Sequence, residues 1–335
     1  MKEKFSPYPY ILPAIVFVTL IVLFPCLYSF YLAFTNYSLY HFTSFSFIGL
    51  DNFKEILLSA ELSTFLSVLW WTFIWASVGV LSQVVVGLAF ALVLNKPHLW
   101  GKNLYRTLLI IPWAVPSFIT VLMWTGLLNT DFGLINKSIT GTPILCSFIN
   151  FMINGVNHLI EALNYLLGIG HLHLETFKMD SRGFVPWLTE GPWAKISVLM
   201  VNLWLGFPYM MSISLGALQG IPAELYEASS LDGASKVQQF RRITLPMLRS
   251  SMLPVIITSF AFNFNNFVGI YLLTAGGPAV AGSRAGATDI LVSYTYKLAF
   301  NLSQYGLACA YAVLIFLLIG SISMVNFKLT GAFKE

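Results

Sequence analysis

Between Lys195 and Glu224, between Arg249 and Arg284, and between Lys297 and Lys328, no side chain carries a formal charge. Each gap exceeds the ~20 apolar residues that a helix needs to cross a hydrocarbon core. Two further gaps, Glu61 to Lys96 and Arg106 to Asp131, and the apolar run 10–34 have the same character. Composition says the same of the whole chain: 57% of residues are hydrophobic, 10% are charged, and the mean hydropathy is +0.76. Soluble domains carry roughly 25% charged residues. A bilayer is therefore the expected solvent. In lipid every backbone polar group must be satisfied internally, so long continuous apolar runs imply helices. The fold class expected is all-α, a polytopic membrane protein with six transmembrane helices.

The six spans are read at 10–34, 65–94, 108–128, 196–219, 252–274 and 305–327. The first is too long for a signal-peptide core and lacks a small-residue cleavage site, so it is read as a retained helix. Pro112 and Pro116 fall inside the third, where neighbouring helices can satisfy the freed carbonyls. Residues 144–169 are apolar enough to be counted as a seventh. Asn150, Asn154, Asn157, Glu161 and Asn164, however, recur at intervals of three and four, which makes the segment amphipathic. It is expected to lie on the membrane or against its neighbours. With six spans and both termini cytoplasmic, eleven of the eighteen basic residues fall inside, among them Lys96, Lys102, Arg106, Lys236, Arg241, Arg242 and Arg249. That split obeys the positive-inside rule. A seventh span would put the three arginines of 241–249 outside.

Several functions are disfavoured. The spans hold no carboxylate or histidine of the kind that relays protons or ions in self-powered pumps. No G-x-x-x-x-G-K-[ST] phosphate loop occurs, so any ATP must be used by another subunit. A net charge of +4 gives no footprint for nucleic acid. Cys26, Cys146 and Cys309 form no framework and read as apolar packers. His171 and His173 read as a solvated loop rather than metal ligands. Gly276-Gly277-Pro278 reads as a turn, and Trp70, Trp71, Trp113 and Trp124 as an interfacial belt. No catalytic or metal constellation is visible.

Two spans carry neutral polar groups on one face. Asn202, Leu205, Gly206 and Tyr209 sit at i, i+3, i+4 and i+7, and Ser259, Phe262, Asn263 and Asn266 repeat the spacing. Amides are expensive in hydrocarbon unless paired, so they should face one another, water or a ligand. Amides and hydroxyls beside aromatic rings suit a neutral polyhydroxylated solute. The competing reading is that they bond across helices only to hold them together.

The polar segment 227–246, EASSLDGASKVQQFRRITLP, sits between two spans. Small residues at 228, 229, 233 and 234 would let a second surface approach, and Gly233 can end one helix and begin another. Its spacing resembles the cytoplasmic signature loop of ABC-importer permeases: Glu-Ala-Ala, three residues, Gly, nine residues, Ile-x-Leu-Pro. Glu227, Ala228, Ser229, Asp232, Gly233, Ile243, Leu245 and Pro246 carry the resemblance, with Ser229 in place of the usual Ala. The runs NLWLGFPYMM (202–211), SFAFNFNNF (259–267), GGP (276–278) and TDILVSYTYKLAF (288–300) are similar to the larger membrane subunit of the maltose/maltodextrin importer.

The resemblance implies a type I ABC-importer permease fold in the inner membrane of a prokaryote. Residues 1–63 would form a first helix and short outer loop. Residues 64–335 would form the core, with an outer insert at 129–192 and a coupling loop at 221–250. It implies sugar contacts at Asn202, Leu205, Gly206, Tyr209, Ser259, Phe262, Asn263 and Asn266. It implies a second homologous permease, an ATPase dimer that binds ATP and Mg, an external sugar-binding protein, and no cofactor in this chain. Two features depart from the pattern: the two extra N-terminal spans and large outer domain of some members do not fit in 36–62, and the 129–192 insert is long. Within this reading another neutral oligosaccharide, a galactoside or a polyol would serve as well. Outside it stands an ion-coupled sugar transporter.

Overall fold

The computed structural model describes residues 8–96, 98–167, 175–180 and 182–330. In chain order α1 (Tyr8–Val18) passes through a π turn at Thr19–Leu23 into α2 (Phe24–Leu32). Then come α3 (Asp51–Leu58), α4 (Glu61–Leu94), α5 (Lys102–Ala114), α6 (Ser117–Leu127), α7 (Leu134–Thr140), α8 (Pro143–Leu167) and α9 (Gly191–Gln219). The rest is α10 (Ala223–Leu231), α11 (Lys236–Gln239), α12 (Leu245–Phe264), α13 (Phe267–Thr274), α14 (Leu291–Phe300) and α15 (Tyr305–Thr330). The only β pairing among the described residues is two isolated bridges, Thr35 with Phe47 and Ala279 with Gly286.

Among the described residues, six continuous helical stretches are long and apolar enough to cross a membrane. Four match expected spans, Tyr10–Leu32, Glu61–Leu94, Gly191–Gln219 and Tyr305–Met324, and a fifth, Lys236–Phe264, begins inside the 221–250 segment and overlaps the expected 252–274 only over 252–264. The sixth, Pro143–Tyr165, is the segment expected to be amphipathic. Its polar stripe is narrow enough that the mean hydropathy still reaches 1.3. The expected third span is not one straight helix. It is the pair α5 and α6, bent by 90°. Pro116 has no N–H and pushes Val115 out of the helical region, to φ −80 and ψ 135. The fifth span is also interrupted. Asn265 leaves the helix at φ −111, and the Asn266 side chain accepts from Gly269 N–H to begin α13.

The described residues fall into two compact units, one drawn from Met1–Ser67 and Tyr294–Gly320, the other from Val68–Ser293 and Ser321–Glu335. In the first, the Asn52 amide donates to the carbonyls of Ala33 and Thr35, both at 2.8 Å. Glu61, at the start of α4, is buried and accepts from the hydroxyls of Tyr294 and Tyr311. A buried carboxylate is tolerable only with such donors.

The second unit holds the polar faces. Gly79, Gln83 and Gly87 recur every four residues on α4 and meet α9. A Cβ at Gly79 would lie 2.5 Å from Asn202 Nδ2, and one at Gly87 would lie 2.7 Å from the Met211 nitrogen. Lipid chains are as apolar as leucine, so membrane helices associate through such close approaches rather than through hydrophobic burial. Ala91, Leu94, Met211, Leu215, Leu218, Ile221, Leu248 and Met252 form one buried cluster that holds both ends of the 221–250 segment. In the insert, Asn136 donates to the carbonyls of Thr130 and Val185 and accepts from Val185 N–H and Trp187 Nε1–H. Arg182 bridges Asp131 and Asp180. Loss of hydration raises the Asp180 carboxyl, but the Phe184 N–H and the Arg182 guanidinium outweigh it and hold its pKa below the ordinary value. His171 and His173 lie outside the described residues.

Candidate functional site

All eight residues expected to face a solute line one cavity of about 570 Å³. Asn202, Leu205, Gly206 and Tyr209 come from α9, and Ser259, Phe262 and Asn263 from α12, with Asn266 at the break before α13. Both helix breaks open onto it, through Val115, Pro116 and Ser117 on one side and Asn266 on the other. Irregular backbone at membrane depth is stable only where protein or a water-filled space satisfies it. Among the described residues, no side chain lining the cavity is ionisable except the Tyr209 phenol.

Its floor is an amide network. Asn202 Nδ2 donates to Asn263 Oδ1 at 2.8 Å, and Asn263 Nδ2 donates to the Ser259 carbonyl at 2.9 Å. Gln83 Nε2 donates to the Asn202 carbonyl and Trp75 Nε1 to the Asn263 carbonyl. Gly206 makes room for Gln83, because a Cβ there would sit 2.1 Å from the Gln83 amide carbon. Asn202 and Asn263 are only 6% and 4% exposed, so the bonding across helices considered from the sequence is realised in this pair. The wall is aromatic and open. Phe262 is 73% exposed, and the Trp113 and Tyr209 rings lie 6.0 Å apart. Flat apolar faces beside amides can take the ring faces and the hydroxyls of a neutral sugar.

The second constellation lies on the 221–250 segment. α10 ends at Asp232, and Gly233 takes φ +78, where a Cβ would be strained. The Ala234 N–H turns back to the Ser229 carbonyl at 2.9 Å. Ser235 opens α11 with a reciprocal capping box to Gln238. Gln239, which is buried, donates to the Tyr226 carbonyl and the hydroxyls of Ser229 and Ser230, and Tyr226 bonds Thr244 at 2.8 Å. The result is a braced helix–turn–helix. Glu227, Ala228, Asp232 and Gly233 stand exposed on it, with Leu231 and Val237 beside them. Ile243 packs instead on the cluster beneath, and Leu245 and Pro246 begin α12.

Residues 83–330 match the family described as the binding-protein-dependent transport system inner membrane component. The chain belongs to this family. It is a membrane permease subunit of an ABC importer, located in the inner membrane, and membership implies an ATPase and a solute-binding protein as partners. Over 346 residues it is 41% identical to the galactooligosaccharides transport system permease protein GanP of Bacillus subtilis, covering 100% of this chain and 74% of GanP. It is 38% identical to the maltodextrin transport system permease protein MalC of Streptococcus pneumoniae, covering 99% of this chain and 70% of MalC. Against the maltose/maltodextrin transport system permease protein MalF of Vibrio vulnificus the identity is 42% over 289 residues, which is 84% of this chain and 48% of MalF. The crystal structure of a bacterial ABC transporter involved in import of the acidic polysaccharide alginate superimposes with a TM-score of 0.66 at 18% identity. It covers 98% of this chain and 96% of that one, a likeness of fold.

Two parts of the permease's cavity were not anticipated from its sequence. Gln83 is the single amide in a long apolar run, and that isolation was the available signal. Trp113, expected in an interfacial belt, lines the cavity beside the α5–α6 break. Trp71 also leaves the belt: it is buried and donates to the Thr288 carbonyl. Trp124 packs edge-on against Trp204, and Trp70 is exposed. Gly276-Gly277-Pro278 forms the turn expected after α13.

Proposed function

We propose that the permease carries a neutral oligosaccharide, of maltodextrin type, through the cavity between α9, α12 and the two helix breaks. The observation that carries this reading is the convergence of all eight residues on one uncharged space with three exposed or half-exposed rings. Relatives named for maltodextrin and for galactooligosaccharides stand at similar identity, so a galactose-containing oligosaccharide is the second substrate to try. Asn266 and the open edges of Asn202 and Asn263 would take hydroxyl pairs, while Tyr209, Phe262 and Trp113 would stack on the ring faces. The site should bind with modest affinity, because tight binding in both conformations would prevent release.

A second, homologous permease completes the path. Two ATPases bind ATP and Mg on the cytoplasmic side, one of them gripping Glu227, Ala228, Ser229, Asp232 and Gly233. The braced loop suits transmission of force, since Gln239 ties α10 to α11 and the buried cluster ties both to α9 and α12. The charge distribution supports cytoplasmic termini and an outer 129–192 insert. No covalent step is assigned to this chain, and it needs no cofactor of its own.

The test is uptake of labelled maltotriose by proteoliposomes that hold all four subunits and the binding protein. Competition by unlabelled galactotriose and by a charged uronic-acid trimer is measured alongside. ATP-dependent uptake, blocked by a neutral trimer and not by the charged one, is expected. Uptake that persists without ATP, or preference for the charged trimer, would sink the proposal.

A further inference from the structure

At 100° per residue, the side chains of α8 divide into three sectors. Cys146, Ile149 and Ile153 face inward onto the buried group of Ile139, Val185 and Trp193. Ser147, Asn150, Asn154, His158 and Glu161 make a polar sector beside them, and all five are exposed. The remaining sector spans about 140° of the helix circumference. It carries Ile144, Phe148, Phe151, Met152, Leu159 and Leu163, all exposed, with no charge and no hydrogen-bonding side chain. Such a face, five turns long, exceeds the isolated apolar patches that water tolerates.

We propose that α8 lies in the plane of the membrane, in the leaflet where α9 begins, with this sector sunk among the acyl chains. Two observations choose lipid and this orientation. The first is where α8 is pinned. Trp193 belongs to the first turn of α9, and α9 has 29 residues. It is therefore about 43 Å long, against a hydrocarbon core of ~30 Å, and its first turn lies at the membrane boundary. Glu190 and Lys195, the charged residues that precede the charge-free stretch of α9, mark the same level. Asn157 exchanges two 2.8 Å hydrogen bonds with the backbone of Phe177, whose ring packs 4.9 Å from Trp193. Asn157 lies about 21 Å along the helix from Pro143 and about 15 Å from Leu167. The middle of α8 is thus fastened at the boundary. An upright α8 would lift half of its phenylalanines and leucines into water and sink the rest, Asn and Glu included.

The second observation is the chemistry of the face. A protein-docking surface carries a polar rim and hydrogen-bonding anchors. The sector has no hydrogen-bonding anchor, and the polar sector follows it along one side for four turns, as in helices that float at an interface. The proposal needs only the membrane location of the permease and is independent of the sugar. It makes the insert a lipid-seated float that fixes the level of α9, the helix that carries Asn202 to Tyr209.

The test places a nitrobenzoxadiazole label at single cysteines in the full complex, in lipid nanodiscs. Cys26, Cys146 and Cys309 are replaced by alanine, and Phe148→Cys, Met152→Cys, Leu159→Cys, Ser147→Cys and Asn154→Cys are made one at a time. Quenching by lipids with a nitroxide at acyl carbon 5 is compared with quenching at carbon 12. The three apolar sites should be quenched alike, more strongly by the shallow nitroxide, and the two polar sites should be quenched at least threefold less. Depth that changes steadily from 148 to 159 would show a crossing helix, and absence of quenching would show water or protein over the face; either overturns the proposal. If the cysteine-free protein does not fold, the unaltered complex is photolabelled with a diazirine lipid reactive near the headgroup. Adducts on the peptide of 143–165 are then required.

Discussion

The Asn202–Asn263 bond allows the two readings of the cavity to be separated by number. Truncating either side chain removes one 2.8 Å bond between α9 and α12, while the backbone carbonyls of both residues keep their bonds from Gln83 and Trp75. A buried amide left alone in a dry interior costs about 1–3 kcal/mol. Side-chain bonds between membrane helices average only ~0.6 kcal/mol and reach ~1.7 kcal/mol, because the unpaired group finds other partners. The smaller range applies, since the pair borders a cavity that admits water. Asn202→Ala, Asn263→Ala and the double variant should therefore show a coupling of about 0.6–1.7 kcal/mol, a factor of about 3 to 20 in the folding equilibrium. The cycle is measured by detergent titration of the complex in bicelles. Uptake of labelled maltotriose is measured on the same four proteins. If the amides also hold sugar, each single variant should raise KM tenfold or more, beyond anything its stability explains. A coupling near zero would refute the bond. A coupling in range with unchanged KM would refute the sugar contact and leave the pair as a fastener between helices.

Gly206→Ala would place a methyl 2.1 Å from the Gln83 amide carbon and push that side chain off the Asn202 carbonyl. Overpacking of this kind costs about 1–3 kcal/mol, and Gln83→Ala in the same protein should restore most of the loss in the detergent titration. Gly233→Val forces a β-branched residue to φ +78, at a cost of about 1–2 kcal/mol. It should abolish stimulation of ATP hydrolysis by the binding protein while the complex stays assembled on a sizing column; normal stimulation would show that the turn does not transmit force. The folded pKa of Asp180 is lowered, so its stabilisation is fully present above the ordinary carboxylate value of ~3.9 and is lost as pH falls through the folded value. Amide exchange at Phe184 and Val185 should accelerate in that acid window relative to Asp180→Asn, which should lack the transition.

The cavity was legible because its chemistry is written in exceptions. An amide in a hydrocarbon run costs energy unless it has a partner, so Asn202, Asn263 and Asn266 are conspicuous at any spacing, and helical spacing puts them on faces. The same logic applied to Gln83, which stands alone in α4, and it points inward as they do. The turn between α10 and α11 was legible for a similar reason: its small and polar residues interrupt two apolar runs, and Gly233 adopts the positive φ that only glycine takes freely. Trp113 was not legible. An indole near a span end suits the interface and a cavity wall equally, and only the direction of the chain at Pro116 decides between them.

That direction is the physical centre of the site. In water a helix with two prolines simply ends, and in lipid it is expected to bend slightly and continue, with neighbours satisfying the freed carbonyls. Here it turns by 90° instead. Part of the cost of so sharp a turn falls on the segment from Pro112 to Ser117, whose backbone must find polar partners or water. Part is met by α6 packing against α9 and α13, the helix restarted by Asn266. Each break therefore needs the polar space that the other opens, and the cavity exists because two helices are discontinuous at the same level. A straight helix at either place would close it with side chains. Filling Pro116 with a residue that permits a continuous helix, as in Pro116→Leu, should shrink the space and abolish uptake even though the change increases apolar surface. Uptake at the wild-type rate in Pro116→Leu would show that the break is incidental and that the amides of α9 and α12 form the path without it.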